Sequence, residues 1–112
     1  MSLLFYLSAK DIGHLILASN NLRSLPQEIR KMKQLEKLDL SKNGLRCNHS
    51  NDFSGLPQEL SELINLTELS ISECNLPYVP PAIFKMISLK TLDLSRNKVS
   101  KILKLWTSAA TR

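Results

Sequence analysis

Residues 35–45 read Leu-Glu-Lys-Leu-Asp-Leu-Ser-Lys-Asn-Gly-Leu, and this segment recurs along the chain. Its apolar residues fall at positions 1, 4, 6 and 11, and Asn43 stands at position 9. Residues 89–99 repeat this layout, and weaker copies begin at Ile12 and Leu66. The four starts are 23, 31 and 23 residues apart. A pattern that returns at such periods indicates a stack of structural repeats, which we call rungs.

The first half of each rung predicts a short strand. Positions 4 and 6 are apolar and alternate with mostly polar neighbours, which is the period-two pattern of a half-buried strand. Because each strand returns after a full turn of chain, neighbouring strands are expected to run parallel. The predicted strands are His14–Leu17, Lys37–Leu40, Glu68–Ile71 and Thr91–Leu94.

The second half of each rung has a helical period. Leu25, Ile29 and Met32 follow helical spacing around Pro26, and the same layout returns at Pro57 and Pro80. Proline suits the first helical position because the N–H it lacks would have no partner there. We expect one helix of about two turns in each rung, held by packing because it is too short to stand alone.

This alternation of strand and helix resembles the leucine-rich repeat, over residues 12 to 99. The resemblance implies an α/β solenoid: a curved right-handed coil with short parallel strands on its concave face and short helices on its convex face. The Leu-Pro pair and the 23-residue unit are similar to the short intracellular branch of the family, which occurs in Ras-pathway scaffolds and other cytosolic adaptors. The resemblance therefore implies a non-enzymatic adaptor or scaffold in signalling.

The repeat pattern divides the chain into a flank, an array and a tail. The flank is 1–11, and the rungs span 12–34, 35–65, 66–88 and, in part, 89–99. Residues 100–112 either cap the array or mark where it simply stops. Poorly capped ends expose core and strand edges, so self-association is expected. An alternative interpretation is that the chain is an incomplete piece of a longer repeat protein, without a binding function of its own.

Position 9 of the rungs is predicted to be structural. A buried amide there can donate to and accept from the backbone where the chain leaves the strand and turns. Cysteine at the same position tolerates burial and has a weak donor, so we interpret it as structural rather than reactive. The four residues of this ladder are Asn20, Asn43, Cys74 and Asn97.

Positions 3, 5 and 8 are expected to project from the strands and turns onto the concave face. Stacked repeats generally bind their partners on such a surface. An alternative is a solvated surface whose charges pair across the rungs. The candidate partner-binding residues are His14, Lys37, Asp39, Lys42, Glu68, Ser70, Glu73, Thr91, Asp93 and Arg96.

The second rung carries an insertion within residues 46–55 that makes it eight residues longer than its neighbours. Insertions in repeat arrays emerge as loops, often on the binding face. Arg46 and Phe53 therefore join the candidate site, although Phe53 could instead fold back over the core. Cys47 and His49 lie two residues apart, but no second Cys or His pair accompanies them, so neither a metal nor a nucleophile site is expected.

Composition and charge narrow the remaining classes of function. The apolar run Leu3–Leu7 is too short for a signal peptide or a membrane span, so a cytoplasmic protein is expected. With three glycines and no phosphate-binding loop, we expect no enzyme activity, cofactor or small-molecule substrate. The excess charge of +5 all follows Asp93, which leaves weak binding of nucleic acid or acidic lipid at the basic end as a lesser alternative to a protein partner.

Overall fold

The computed structural model describes residues 12–46 and 55–98, where strands alternate with short helices. The elements in order are β1 (His14–Ile16), η1 (Gln27–Lys31), β2 (Lys37–Asp39), η2 (Gln58–Glu62), β3 (Glu68–Ser70), η3 (Pro81–Lys85) and β4 (Thr91–Asp93). The strands form one parallel sheet in the order β1-β2-β3-β4. The predicted solenoid architecture is confirmed. The N-terminal flank, Cys47, His49, Phe53 and the basic end after Lys98 lie outside the described residues.

The strands pair so that equal positions of the rungs face each other. Leu15 pairs with Leu38, Leu38 with Leu69, and Leu69 with Leu92. Each strand ends one residue earlier than predicted. After β1, β2 and β3 the next residue still donates to the neighbouring rung, as Leu17 does to the Asp39 carbonyl at 2.8 Å. The chain then turns through left-handed residues at position 8, which ends the strand: Ser19, Lys42, Glu73 and Arg96 have φ between 52° and 60°.

The helices are five-residue 3₁₀ helices. In η1 the Ile29 N–H donates to the Pro26 carbonyl at 3.1 Å, and the Met32 N–H to the Ile29 carbonyl at 3.1 Å, which is the i→i+3 pattern. The prolines were predicted to occupy the first helical position. Pro26 and Pro57 instead lie one residue earlier, as N-cap residues in extended conformation. A cap residue also needs no N–H partner, so proline fits there equally well. In η3, Pro81 does take the first helical position.

The core lies between the sheet and the helices. Positions 1, 4, 6 and 11 of the middle rungs are buried, and each such side chain contributes roughly 1.5–3 kcal/mol. Ile12, Leu22, Leu89 and Leu92, in the outer rungs, are only partly buried. The helices and their C-caps add buried residues that are all at most 6% exposed: Ile29, Met32, Leu60, Leu63, Ala82, Ile83 and Met86.

The insertion leaves the second rung through a narrow neck. The Gly55 N–H donates to the Arg46 carbonyl at 3.0 Å, while Arg46 and Gly55 bond the first rung through Arg23 and Leu25. Arg46 and Gly55 thus fill the same slots as Arg23 and Ser24. The eight residues between Arg46 and Gly55 in the sequence, 47–54, lie outside the described residues.

Candidate binding face

The outer surface of the sheet forms an open groove of ≈ 260 Å³. We call this surface the sheet face. Among the predicted site residues, the groove gathers those at positions 3 and 5: His14, Lys37, Asp39, Glu68, Ser70, Thr91 and Asp93. Lys42, Glu73 and Arg96 lie in the turns that follow the strands, and Arg46 lies at the neck of the insertion. The structure thus separates a groove from a rim.

Strand alternation places these side chains on the sheet face. In β1 and β2 the central leucine is buried while both neighbours face outward. The register then aligns the outward residues into two rows. The position-3 row is His14, Lys37, Glu68 and Thr91, and the position-5 row is Ile16, Asp39, Ser70 and Asp93.

The charges of the position-3 row pair with each other. Lys37 Nζ lies 3.6 Å from Glu68 Oε1, and both side chains are about half exposed. At the rim, Arg96 Nη1 lies 2.7 Å from Glu73 Oε1. Water and salt screen such exposed pairs, so each adds little to stability. Four of the candidate residues therefore do pair across the rungs, as the alternative interpretation of a solvated surface holds.

The aspartates of the position-5 row are held by their own turns. Asp39 Oδ1 accepts the Ser41 N–H at 2.9 Å. Asp93 Oδ1 accepts both the Ser95 N–H at 2.9 Å and the Ser95 hydroxyl at 2.6 Å. The hydroxyl bond, followed by the N–H bond, lowers the pKa of Asp93. Within residues 12–46 and 55–98, neither aspartate forms an ion pair.

Ile16 adds an apolar surface to the same row. Its side chain is 74% exposed and lines the groove beside Asp39. Ile16 was not among the predicted partner-binding residues, although its place at position 5 was a signal that could have found it. Other exposed apolar side chains lie off the sheet face, with Phe84 in η3 and Ile64 and Ile87 just after η2 and η3.

The asparagine ladder lies behind one edge of this face. Asn43 Oδ1 accepts the N–H groups of Asn20 and Leu22 at 3.0 and 2.8 Å. Its Nδ2 donates to the carbonyls of Leu17 and Leu40 at 3.0 and 2.9 Å. Asn97 repeats this arrangement between the third and fourth rungs, where its Oδ1 accepts the N–H groups of Cys74 and Leu76. Each of these amides therefore bonds the turn of the preceding rung as well as its own. Asn20 differs because it is exposed, and among the residues that the structure describes its side chain donates only to the Ala18 carbonyl, at 3.2 Å.

Cys74 fills the same ladder position with a thiol that is 1% exposed. Its Sγ donates to the carbonyls of Leu40 and Ser72 at 3.2 and 3.4 Å. Burial raises the pKa of this thiol, against the smaller opposing effect of the Asn43 and Lys42 backbones. A protonated and enclosed thiol is a poor nucleophile and a poor metal ligand.

The described part of the chain contains neither a metal-ligand cluster nor a membrane-spanning helix. In residues 12–46 and 55–98, no three His, Cys, Asp or Glu side chains come together as metal ligands. Over the same ranges, every helix is too short and too polar to cross a bilayer.

Comparison with known proteins agrees with this geometry. Two family models, both described as leucine-rich repeat, match residues 12–62 and residues 65–86 and 88–108. The flightless-1 homolog of Caenorhabditis elegans is 34% identical over 110 residues, covering 82% of this chain, which spans only 9% of that protein. A solved leucine-rich repeat protein of Leptospira interrogans superposes with a TM-score of 0.69 at 29% identity, over 86% of this chain and 23% of that one. The chain belongs to the leucine-rich repeat family.

Proposed function

We propose that this chain is a protein-binding module that captures a partner on the sheet face. Leucine-rich repeat domains commonly mediate protein–protein interaction and are typically non-enzymatic. The observation that carries the proposal is the groove itself, in which four strands in register present two rows of outward side chains.

The division of labour between residues supports this proposal. Buried leucines and the ladder amides hold the fold, whereas the half-exposed Lys37–Glu68 pair of the sheet face stabilises it by about 1 kcal/mol at most. Side chains in the two rows are therefore free to serve recognition at little cost to folding.

The size of the groove indicates what kind of partner fits. Parallel strands lie about 4.8 Å apart and rise about 3.3 Å per residue, so the two rows cover a patch of roughly 14 by 7 Å. A standard protein interface buries about 800 Å² on each partner. The groove at ≈ 260 Å³ holds a few side chains, so the partner inserts a short peptide segment and extends any further contact over the rim.

Selection from an unbiased peptide-display library on the full chain tests the proposal. Ser70 lies in the centre of the groove, so Ser70→Trp should fill it and abolish binding of the selected peptides. Ser61→Trp is the matched control, because Ser61 belongs to η2 on the helical side, and binding should persist. Both variants must melt cooperatively near the wild-type temperature.

Two results would contradict a binding function of the sheet face. One is a set of peptides that binds wild type and Ser70→Trp equally well. The other is loss of binding by Ser61→Trp alone, which would place the site on the helical side.

We further propose that the module works as an adaptor in the cytosol. The resemblance to the short intracellular branch supports this, as does the free, buried thiol of Cys74, since free thiols are typical of reducing compartments. Proximity labelling in cells with the full chain, compared between Ser70→Trp and Ser61→Trp, should show cytosolic partners that only Ser70→Trp loses. Labelling confined to proteins of the secretory lumen would refute the location.

A further inference from the structure

We infer that the position-5 row recognises a cationic segment of the partner, which places a Lys or Arg side chain over Ser70, between Asp39 and Asp93, and an aliphatic side chain over Ile16. This inference rests on the proposed function and specifies the chemistry of its partner. It differs from general protein binding in that it requires charge of one sign.

The charges of the groove are unbalanced. Its lining contains one cation, Lys37, against three anions, Glu68, Asp39 and Asp93. Lys37 is already engaged by Glu68 at 3.6 Å, and Arg96 at the rim is engaged by Glu73 at 2.7 Å. Within residues 12–46 and 55–98, Asp39 and Asp93 therefore form no ion pair and leave the groove itself acidic, although the charge of Arg96 at the rim also acts on Asp93. Residues 1–93 hold equal numbers of basic and acidic side chains, so this local excess comes from placement rather than composition.

Both aspartates are held ready for a ligand. Oδ1 of each accepts a backbone N–H two residues ahead, from Ser41 or Ser95, which fixes the side chain over the turn. In the described part of the chain, the bonds of these carboxylates all go to Oδ1, so Oδ2 of each is available to a partner. Preordered acceptors bind a cation without losing side-chain entropy at that moment.

The spacing of the row suits one cationic side chain. Asp39, Ser70 and Asp93 are register partners on consecutive strands, so the two carboxylates lie about 10 Å apart across the serine. A guanidinium or ammonium above the small Ser70 side chain is then within roughly 5 Å of both. An acidic or purely apolar segment in this place would remove both carboxylates from water without a counter-charge, which is unfavourable.

Ile16 supplies the second point of attachment. It is the register partner of Asp39 and is 74% exposed, so its side chain is available to an aliphatic group of the partner. Ile16 in β1 lies two strands from Ser70 in β3 along the position-5 row, so the aliphatic and cationic groups of the partner are about 10 Å apart. The two unlike anchors give the bound segment one orientation.

The test uses the peptides selected from the unbiased library and measures their Kd by fluorescence anisotropy. Asp39→Asn/Asp93→Asn removes both charges, while the asparagine Oδ1 still accepts the Ser41 and Ser95 N–H bonds. We expect selected peptides to carry Lys or Arg near an aliphatic residue and to bind this variant on the order of tenfold or more weakly. Binding to the wild type should weaken as salt rises. Glu28→Gln/Glu59→Gln removes the same charge from the helical side and should leave Kd unchanged.

A second pair of variants guards against a folding defect. Ser70→Lys places a cation of the chain's own between the two aspartates and should weaken the same peptides, whereas Ser70→Gln, of similar length, should weaken them less. Equal effects of the lysine and glutamine variants would overturn the inference.

The outcomes separate this inference from the proposed function. Selected peptides that are neutral or acidic and that fail to bind Ser70→Trp would overturn the cationic preference and leave the sheet face as the binding site. Basic peptides with an unchanged Kd for Asp39→Asn/Asp93→Asn would also overturn the inference. Peptides indifferent to Ser70→Trp, or no selected peptides at all, would overturn both.

Discussion

Asn43 and Asn20 occupy the same position in neighbouring rungs but differ in burial and in bonding. Asn43 is 5% exposed and bonds the backbone on both sides of its amide, whereas the exposed Asn20 side chain donates once, to Ala18. Asn43 and Asn97 each bond the turn of the rung before them. Asn43 has such a rung in β1 and its turn, so its amide holds two rungs together.

Replacing each of these two residues by alanine tests whether burial and cross-rung bonds, rather than the shared sequence position, determine the contribution to stability. Asn43→Ala should lower the free energy of unfolding by about 3 kcal/mol, because it leaves several buried backbone groups without partners. Asn20→Ala should cost less than about 1 kcal/mol, since water replaces its single bond. Urea unfolding followed by circular dichroism measures both. Equal losses from the two variants would show that the amide bonds of Asn43 do not hold the rungs together.

The pKa of Asp93 predicts a dependence of stability on pH. Its pKa in the folded chain is lowered from 3.8 by the Ser95 hydroxyl and N–H, so the ionised form stabilises the fold. This stabilisation is present above pH 3.8 and is lost as the pH falls through the lower folded value. Asp93→Asn should therefore lose less stability than wild type between pH 5 and about 2.5. Urea midpoints across this range would contradict the prediction if the two curves ran parallel.

The sequence predicted where these residues lie better than what they bond. Spacing alone located the ladder positions and the outward aspartates. The hydrogen bonds of Asp39 and Asp93 were missed, although Asp-x-Ser is a local signal for a side chain that bonds its own turn. The exposure of Asn20 could not be predicted from its rung, because burial at this position depends on the rung before it.

At the scale of elements, the strands were predictable and the helix type was not. Leu25, Ile29 and Met32 have i+4 and i+3 spacings, which over one short segment fit a 3₁₀ helix as well as an α-helix. The two differ in whether N–H groups bond back three or four residues, and five residues carry too few side chains to distinguish them. The backbone bonds of η1 decide for the 3₁₀ helix.

The neck of the insertion depends on one glycine. A Cβ on Gly55 would lie 2.7 Å from the Arg46 nitrogen, 2.9 Å from its oxygen and 2.9 Å from Leu45 Cβ, all closer than atoms tolerate. A Cβ on Gly44, by contrast, would meet no atom within 4 Å. The two glycines therefore form a matched pair for a test.

Gly55→Ala should destabilise the chain by about 1–3 kcal/mol, because backbone atoms must move to admit the methyl group. Gly44→Ala should leave stability unchanged or raise it by up to about 1 kcal/mol, since its φ is not left-handed and alanine restricts the unfolded chain. Thermal melts of both variants measure the difference. A tolerated Gly55→Ala would mean that the Arg46–Gly55 pair does not close the neck tightly.

At the scale of the whole molecule, the described strands and helices each stack in chain order. Each strand adjoins the next strand, from β1 to β4, and each helix adjoins the next helix, from η1 to η3. The order and register of the sheet therefore follow from the spacing of the repeats, and the sequence predicted both. Because the rungs stack in register, the side chains of the sheet face are those at positions 3 and 5 of each rung. Its partner was not predictable, because the fold constrains the buried columns and leaves the outward side chains free.

We propose that the partner is recognised on the sheet face. Amide chemical-shift mapping locates the bound peptide residue by residue and therefore tests this claim. A selected peptide would be titrated into the ¹⁵N-labelled full chain. The perturbed amides should cluster in β1 to β4, at residues 14–16, 37–39, 68–70 and 91–93, with the largest shifts around Asp39 and Asp93. Shifts concentrated instead in η1 to η3, or around Ile64 and Ile87, would contradict the claim and place the binding site on the opposite side of the solenoid.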